Sequence, residues 1–169
     1  MFLKKVDGVI GSLLARLWSR PMHPGLSPYV VSRLLLIRPG GIGDAVLLAP
    51  VVEQLRKAFP EARIEILAEK RNGRAFALCS DVDKVLFYDR PKDLFAILSN
   101  SYDVIIDSEQ WHRLSAIVAR MIRSQVKIGY GTNERKRLFT HSIGYSHESY
   151  EVDSFFELLK PLEIEPPST

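Results

Sequence analysis

Asp44 is the residue best placed to do chemistry. It ends the turn Arg38-Pro39-Gly40-Gly41-Ile42-Gly43, which follows the apolar run of residues 34–37 and opens a helical pattern. A strand, a glycine turn and a helix bring backbone close to a ligand at the carboxyl end of a parallel strand. Most such turns receive phosphate, because the helix start offers free N–H groups and the positive end of a dipole. A carboxylate there repels phosphate. The same dipole stabilises its ionised form, which is the form a general base needs within reach of a hydroxyl. Asp is also a favoured helix N-cap, so capping is the structural alternative for Asp44. A dinucleotide site is the competing chemistry: Gly41 and Gly43 match two glycines of that fingerprint, but Val46 stands where the third belongs. Glu69, ending the next strand, could imitate the ribose-binding acid, which leaves a dinucleotide-binding oxidoreductase domain as an alternative.

Two further segments belong to the same rim if the strands run parallel, Asp107-Ser108-Glu109-Gln110 and Gly129-Tyr130-Gly131; residues 133–137 form a separate basic loop. Asp107 ends an apolar strand, where a carboxylate either caps the next helix or binds a ligand. Arg135 or Arg137 could grip an anionic acceptor by bidentate contacts, and a solvated loop is the alternative. His112 reads as a surface or satisfied histidine, and Cys79, the single cysteine, as a small hydrophobe. No His, Cys and Asp spacing suits a metal, and no Gly-x-Ser-x-Gly or Walker-type loop is present.

The elements that must position these residues alternate regularly. Strands are predicted at 33–38, 63–68, 84–88, 102–107 and 126–130. Helices are predicted at 44–59, around 73–79, and at 91–99, 110–122 and 152–159. Short β-branched strands separated by helices imply right-handed crossovers and a parallel sheet, a Rossmann-like α/β domain with its working edge at the strand carboxyl ends.

Ahead of that domain, residues 2–18 place apolar side chains at helical spacing between Lys4, Lys5, Asp7 and Arg16. The segment is too charged to span a bilayer. It either packs on its own domain or a partner, or lies on an anionic membrane face. Residues 1–31 are thus an amphipathic helix and a Pro-rich linker, and 32–165 the globular domain. Six cations against Asp7 give residues 1–40 a charge of +5, so the remaining 129 residues sum to −2 within a net +3. The basic character belongs to the N-terminal segment, and nucleic-acid binding is unsupported.

The segment LLIRPGGIGDAVLLAPVVEQLRKAFPEARIEILAE resembles the N-terminus of family 9 glycosyltransferases, the heptosyltransferases of lipopolysaccharide core assembly. DVDKVLFYD, YDVIIDSEQWHRLSA and VKIGYG follow in that family's order, so the resemblance covers residues 33–165. It implies the N-terminal, acceptor-binding domain of a two-domain GT-B enzyme that is inverting, cofactor-free and metal-independent. The implied donor is a nucleotide-sugar such as ADP-heptose, and the implied acceptor a glycolipid at the inner face of the cytoplasmic membrane. The family's proposed base maps onto Asp44, with Gly40, Gly41 and Gly43 letting the acceptor sugar approach. Asp107, Gln110 and Arg135 fall loosely in acceptor-side regions. Residues 166–169 are expected to begin an interdomain linker, with the donor domain outside this sequence or on a partner chain. A non-catalytic glycan-binding module is the remaining alternative.

Overall fold

The structure is a computed structural model that describes residues 30–167; the amphipathic pattern at 2–18 and the Pro-rich stretch after it lie outside the described residues. Six parallel strands form one sheet in the order β3-β2-β1-β4-β5-β6. They are β1 (Arg33–Arg38), β2 (Arg63–Ala68), β3 (Lys84–Phe87), β4 (Ser101–Asp107), β5 (Arg123–Tyr130) and β6 (His141–Ile143). The helices are α1 (Ile42–Leu47), α2 (Ala49–Ala58), α3 (Lys70–Phe76), α4 (Pro91–Ser99), α5 (Arg113–Met121) and α6 (Glu151–Glu157).

The continuous apolar runs of β1 and β4 reflect burial on both faces of the sheet. Leu34 and Leu36 point into one core with Val51, Val52 and Leu55 of α2, Phe76 of α3 and Phe155 of α6. Leu35 and Ile37 point into the other, with Ile97 of α4 and Ala116 and Ala119 of α5. Chain order reverses between β1 and β4, so the crossovers leave on opposite faces there. In sheets of this kind the ligand crevice lies at such a switch point, at the strand carboxyl ends. Ile37 of β1 is in register with Asp107 of β4, and Asp107 with Gly129 of β5, so the three sequence segments expected on one rim do meet.

Three expectations need correction. The helix expected at 44–59 is two helices broken at Leu48, because Pro50 has no N–H to continue the ladder back to Val46. The break turns α1 into a separate six-residue element that carries Asp44 alone. The sheet has six strands where five were expected. His141–Ile143 is too short and too polar to read as a strand, and it forms because β5 offers it a free edge. Helix α3 also begins earlier than its sequence pattern suggests. The Asn72 side chain accepts from the Glu69 N–H at 2.9 Å and donates to the Arg38 carbonyl at 3.0 Å, tying the start of α3 to the end of β1.

One buried charge makes stability depend on pH. Lys127 on β5 donates to the Arg120 and Ile122 carbonyls at 2.9 and 2.6 Å, and burial, helped by the nearby Arg120 charge, pushes its ammonium down to about 8. Between that value and the unfolded 10.5, the unfolded chain holds the extra proton, so stability rises with pH. Urea unfolding should therefore show a gain on the order of 2–3 kcal/mol from pH 7.5 to 10. Lys127→Met should flatten that slope.

Candidate functional site

Arg38 organises the crevice. It is 2% exposed, a long cation carried to the end of β1 and turned under the glycine loop. Its Nη1 donates to the Ser108 carbonyl at 2.6 Å and to Gln110 Oε1 at 3.2 Å, both beyond the end of β4. Its Nη2 pairs with Asp44 Oδ2, and its guanidinium lies 5.5 Å from the Phe155 ring centre. Asp44 is the third residue of α1, and its side chain remains 39% exposed. Gly41 occupies the N-cap without a side-chain hydrogen bond, so the capping alternative for Asp44 is not taken up. The carboxylate is instead held by one buried arginine while facing the open crevice. That combination orients the carboxylate and leaves it open to solvent.

The three turn glycines differ in what the backbone requires. Gly40 has φ +117, a conformation that L side chains rarely adopt, and it turns the chain over the Arg38 head group. At Gly41 an added Cβ would meet Asp44 Oδ2 at 3.4 Å, an ordinary contact. At Gly43 a side chain would stand in open space. Gly41 and Gly43 are both exposed, so the loop presents bare backbone beside the carboxylate.

Asp107, Gln110 and Arg135 are brought together, but inside the protein. Arg135 is fully buried, which corrects the expectation that it projects from a solvated basic loop to grip an acceptor. Its Nη2 meets Asp107 Oδ2 at 3.1 Å and the Glu109 carbonyl, its Nη1 the His112 carbonyl and Ser115 Oγ, and its Nε the Tyr130 carbonyl. Every nitrogen of the guanidinium is committed to the fold. Asp107 is equally buried, and its other oxygen accepts from the Glu109 N–H at 3.1 Å. It does not cap α5, and no part of it reaches solvent. The pair is a strut that fixes the 107–113 loop against the turn at Asn133–Arg137. Gln110, 7% exposed, bridges Arg38 and Glu151, its Nε2 donating to Glu151 Oε1.

The sequence reading missed Glu151, Tyr145 and the role of Arg38. Glu151 begins α6, and its second oxygen accepts from the Tyr145 hydroxyl at 2.9 Å. Burial first, and then Glu151, raise the Tyr145 phenol above its ordinary range; the charges of Asp44 and Arg38 also reach it, with opposite signs. A carboxylate in the first turn of a helix is a visible sequence signal, but its partners come from the loops after β4 and β6. Among the described residues, no three His, Cys, Asp or Glu side chains converge as a group that could hold a metal ion.

Helix α1, which carries Asp44, and α3 border an open cavity of about 950 Å³. Ile42, Val46 and Phe76 line it, and Lys70, Arg71 and Arg74 stand along it. Ile42 and Val46 are more than half exposed.

The same fold recurs in known proteins. Lipopolysaccharide heptosyltransferase 3 of Escherichia coli K12 is 27% identical over 140 residues, which are 72% of this chain and 40% of that protein. The chain is similar to the lipopolysaccharide heptosyltransferases over that span. Among solved structures, the E. coli heptosyltransferase WaaC with ADP superposes with a TM-score of 0.70 at 19% identity, over 81% of this chain and 49% of that one. A family 9 glycosyl transferase from Veillonella parvula gives a TM-score of 0.65 at 15% identity, over 88% of this chain and 44% of that one. These heptosyltransferase-type structures share the Rossmann-like sheet described above. No protein-family model matches the chain. It spans about 40% of the length of the curated relatives it matches.

The Arg38 arrangement carries a stability prediction of its own. Arg38→Lys should cost about 1–3 kcal/mol, because a single ammonium cannot serve Ser108, Gln110 and Asp44 together. Thermal unfolding of the variant checks it, with Asp44→Asn as the control that keeps the guanidinium and its other partners.

Proposed function

We propose that this chain is the acceptor-binding half of an inverting, metal-independent glycosyltransferase. It would move heptose or a related sugar from a nucleotide-sugar to a lipopolysaccharide-core-type acceptor. The observation that carries the reading is Asp44, a half-exposed carboxylate held by the buried Arg38 at the switch-point crevice, beside the bare backbone of Gly41 and Gly43. In the proposed step, Asp44 takes the proton of an acceptor hydroxyl as its oxygen bonds to the anomeric carbon of the donor. The bond from that carbon to the diphosphate oxygen breaks, and its electron pair leaves with the diphosphate. Gly40, Gly41 and Gly43 shape the approach, while Asp107, Gln110 and Arg135 hold the loop and the Arg38 head group in place. The donor site belongs to a second domain or a partner chain.

An amphiphilic, anionic acceptor suits the surroundings. The cavity beside Asp44 is largely apolar, with Lys70, Arg71 and Arg74 along it, a match for acyl chains below phosphorylated sugars. Working on such an acceptor places the protein at the inner face of the cytoplasmic membrane, where residues 2–18 would add a peripheral contact. No helix among the described residues is long and apolar enough to cross a membrane.

Calorimetry separates this reading from a dinucleotide-binding one. The chain should bind deacylated lipopolysaccharide core oligosaccharide and show no heat with NADH or NADPH. Tight dinucleotide binding would overturn the assignment. The structure weighs against dinucleotide in one further respect: the Asp44 carboxylate stands within the turn that would have to receive the pyrophosphate.

A further inference from the structure

Trp111 follows Gln110 on the crevice rim, and 46% of it is open to solvent. Its backbone is pinned on both sides. The Trp111 N–H donates to Glu109 Oε1 at 3.0 Å, and its carbonyl accepts from Asn133 Nδ2 at 3.2 Å. The indole lies flat against His147, with centroids 5.1 Å apart and planes 11° from parallel. Tyr145 meets it edge-on at 5.8 Å and in turn meets Tyr130 edge-on at 5.1 Å. A single exposed aromatic ring is ordinary on a protein surface. This one is stacked, braced and joined to the catalytic turn. From Tyr145, hydrogen bonds run through Glu151 and Gln110 to Arg38 and then Asp44.

A pyranose ring has one face of C–H bonds and a rim of hydroxyls. The C–H face packs on an aromatic π-face, and the hydroxyls need acceptors at its edge. The rim supplies both. His147 backs the indole, and Glu151, already accepting from Gln110 and Tyr145, keeps lone pairs for a sugar hydroxyl. Pinned backbone and stacked rings mean that little freedom remains to be lost on binding. We propose that Trp111, backed by His147 and braced by Tyr145, is the platform on which a sugar ring of the acceptor stacks beside the Arg38–Asp44 pair, with Glu151 receiving one of its hydroxyls. This rests on the acceptor-side reading above and assigns it a subsite.

The chain has two tryptophans, so Trp18→Phe leaves Trp111 as the sole indole reporter. That chain is titrated with deacylated lipopolysaccharide core oligosaccharide, and with sorbitol as a polyol that lacks a ring. Affinity is read by calorimetry and contact by indole emission. The oligosaccharide should shift the emission saturably, and sorbitol should not. In the same background Trp111→Ala should weaken binding by about tenfold or more, and Trp111→Phe should stay within roughly threefold of the parent. Thermal melts identify any loss of fold in the alanine variant, in which case the phenylalanine variant and the emission shift decide. Oligosaccharide binding that leaves the emission unmoved and is unchanged in Trp111→Ala would overturn the platform and leave the acceptor reading standing. No binding by the parent chain would overturn both.

Discussion

Replacing Asp44 with Asn is expected to lower sugar transfer by roughly 100- to 10,000-fold in the proposed transferase, the range that removal of a general base produces. The carboxamide keeps the shape of the side chain and can still accept a hydrogen bond from Arg38, so the turn should hold its geometry. What it loses is the capacity to take a proton. The effect should therefore appear in kcat with little change in the KM for acceptor, because the hydroxyl is bound but not activated. Transfer of labelled heptose from ADP-heptose to a core oligosaccharide measures it. Near-normal turnover would remove Asp44 from the mechanism. A parallel rise in KM with unchanged kcat would make it a binding group. The capping alternative predicts a different signature, loss of helix stability, which the absence of any side-chain cap bond already weighs against.

The second large effect is on stability and arises away from solvent. Arg135→Met should cost about 3–5 kcal/mol, since breaking a buried ion pair leaves its partner charged and uncompensated. Asp107 would keep only neutral partners, the Glu109 N–H and the Ser115 side chain, and the Glu109, His112 and Tyr130 carbonyls would lose a donor. Adding Asp107→Leu to Arg135→Met should recover part of the loss, because the stranded charge goes with it. Denaturant unfolding of the two single variants and the double variant closes the cycle. A loss below about 1 kcal/mol for Arg135→Met would mean that the pair adds nothing net, as exposed pairs commonly do. The strut fixes the loop carrying Gln110 and Trp111, so a variant that still folds should also bind acceptor sugar more weakly.

Much of the fold was legible because its signals are local. The runs LLLI and VIID are too apolar to lie anywhere except between two layers, and the helical patterns between strands leave only parallel connections. Positions within the elements were less legible where one residue acts at a distance. Pro50 was visible in the sequence, yet its splitting of a sixteen-residue pattern into two helices depended on where the chain could bend over the sheet. The strand at His141–Ile143 has little propensity of its own and exists because β5 needed an edge partner.

The candidate site divides along the same line. Asp44 and its glycines were readable because a strand, a turn and a helix within eleven residues, 34–44, force their arrangement. Arg135 looked like a solvated cation because sequence shows charge and not burial. Only the tertiary structure places it fully inside, opposite an aspartate twenty-eight residues earlier. The sequence by itself determined the class of fold, the sheet edge that carries the glycine turn and the acid that stands there, since each follows from hydrophobic period and turn chemistry. Only the tertiary structure decided which charges face solvent and which serve as struts, and that Arg38, Gln110 and Glu151 form one path to that acid. Those outcomes depend on contacts between residues distant in the chain, where desolvation and pairing are set by what packs against what.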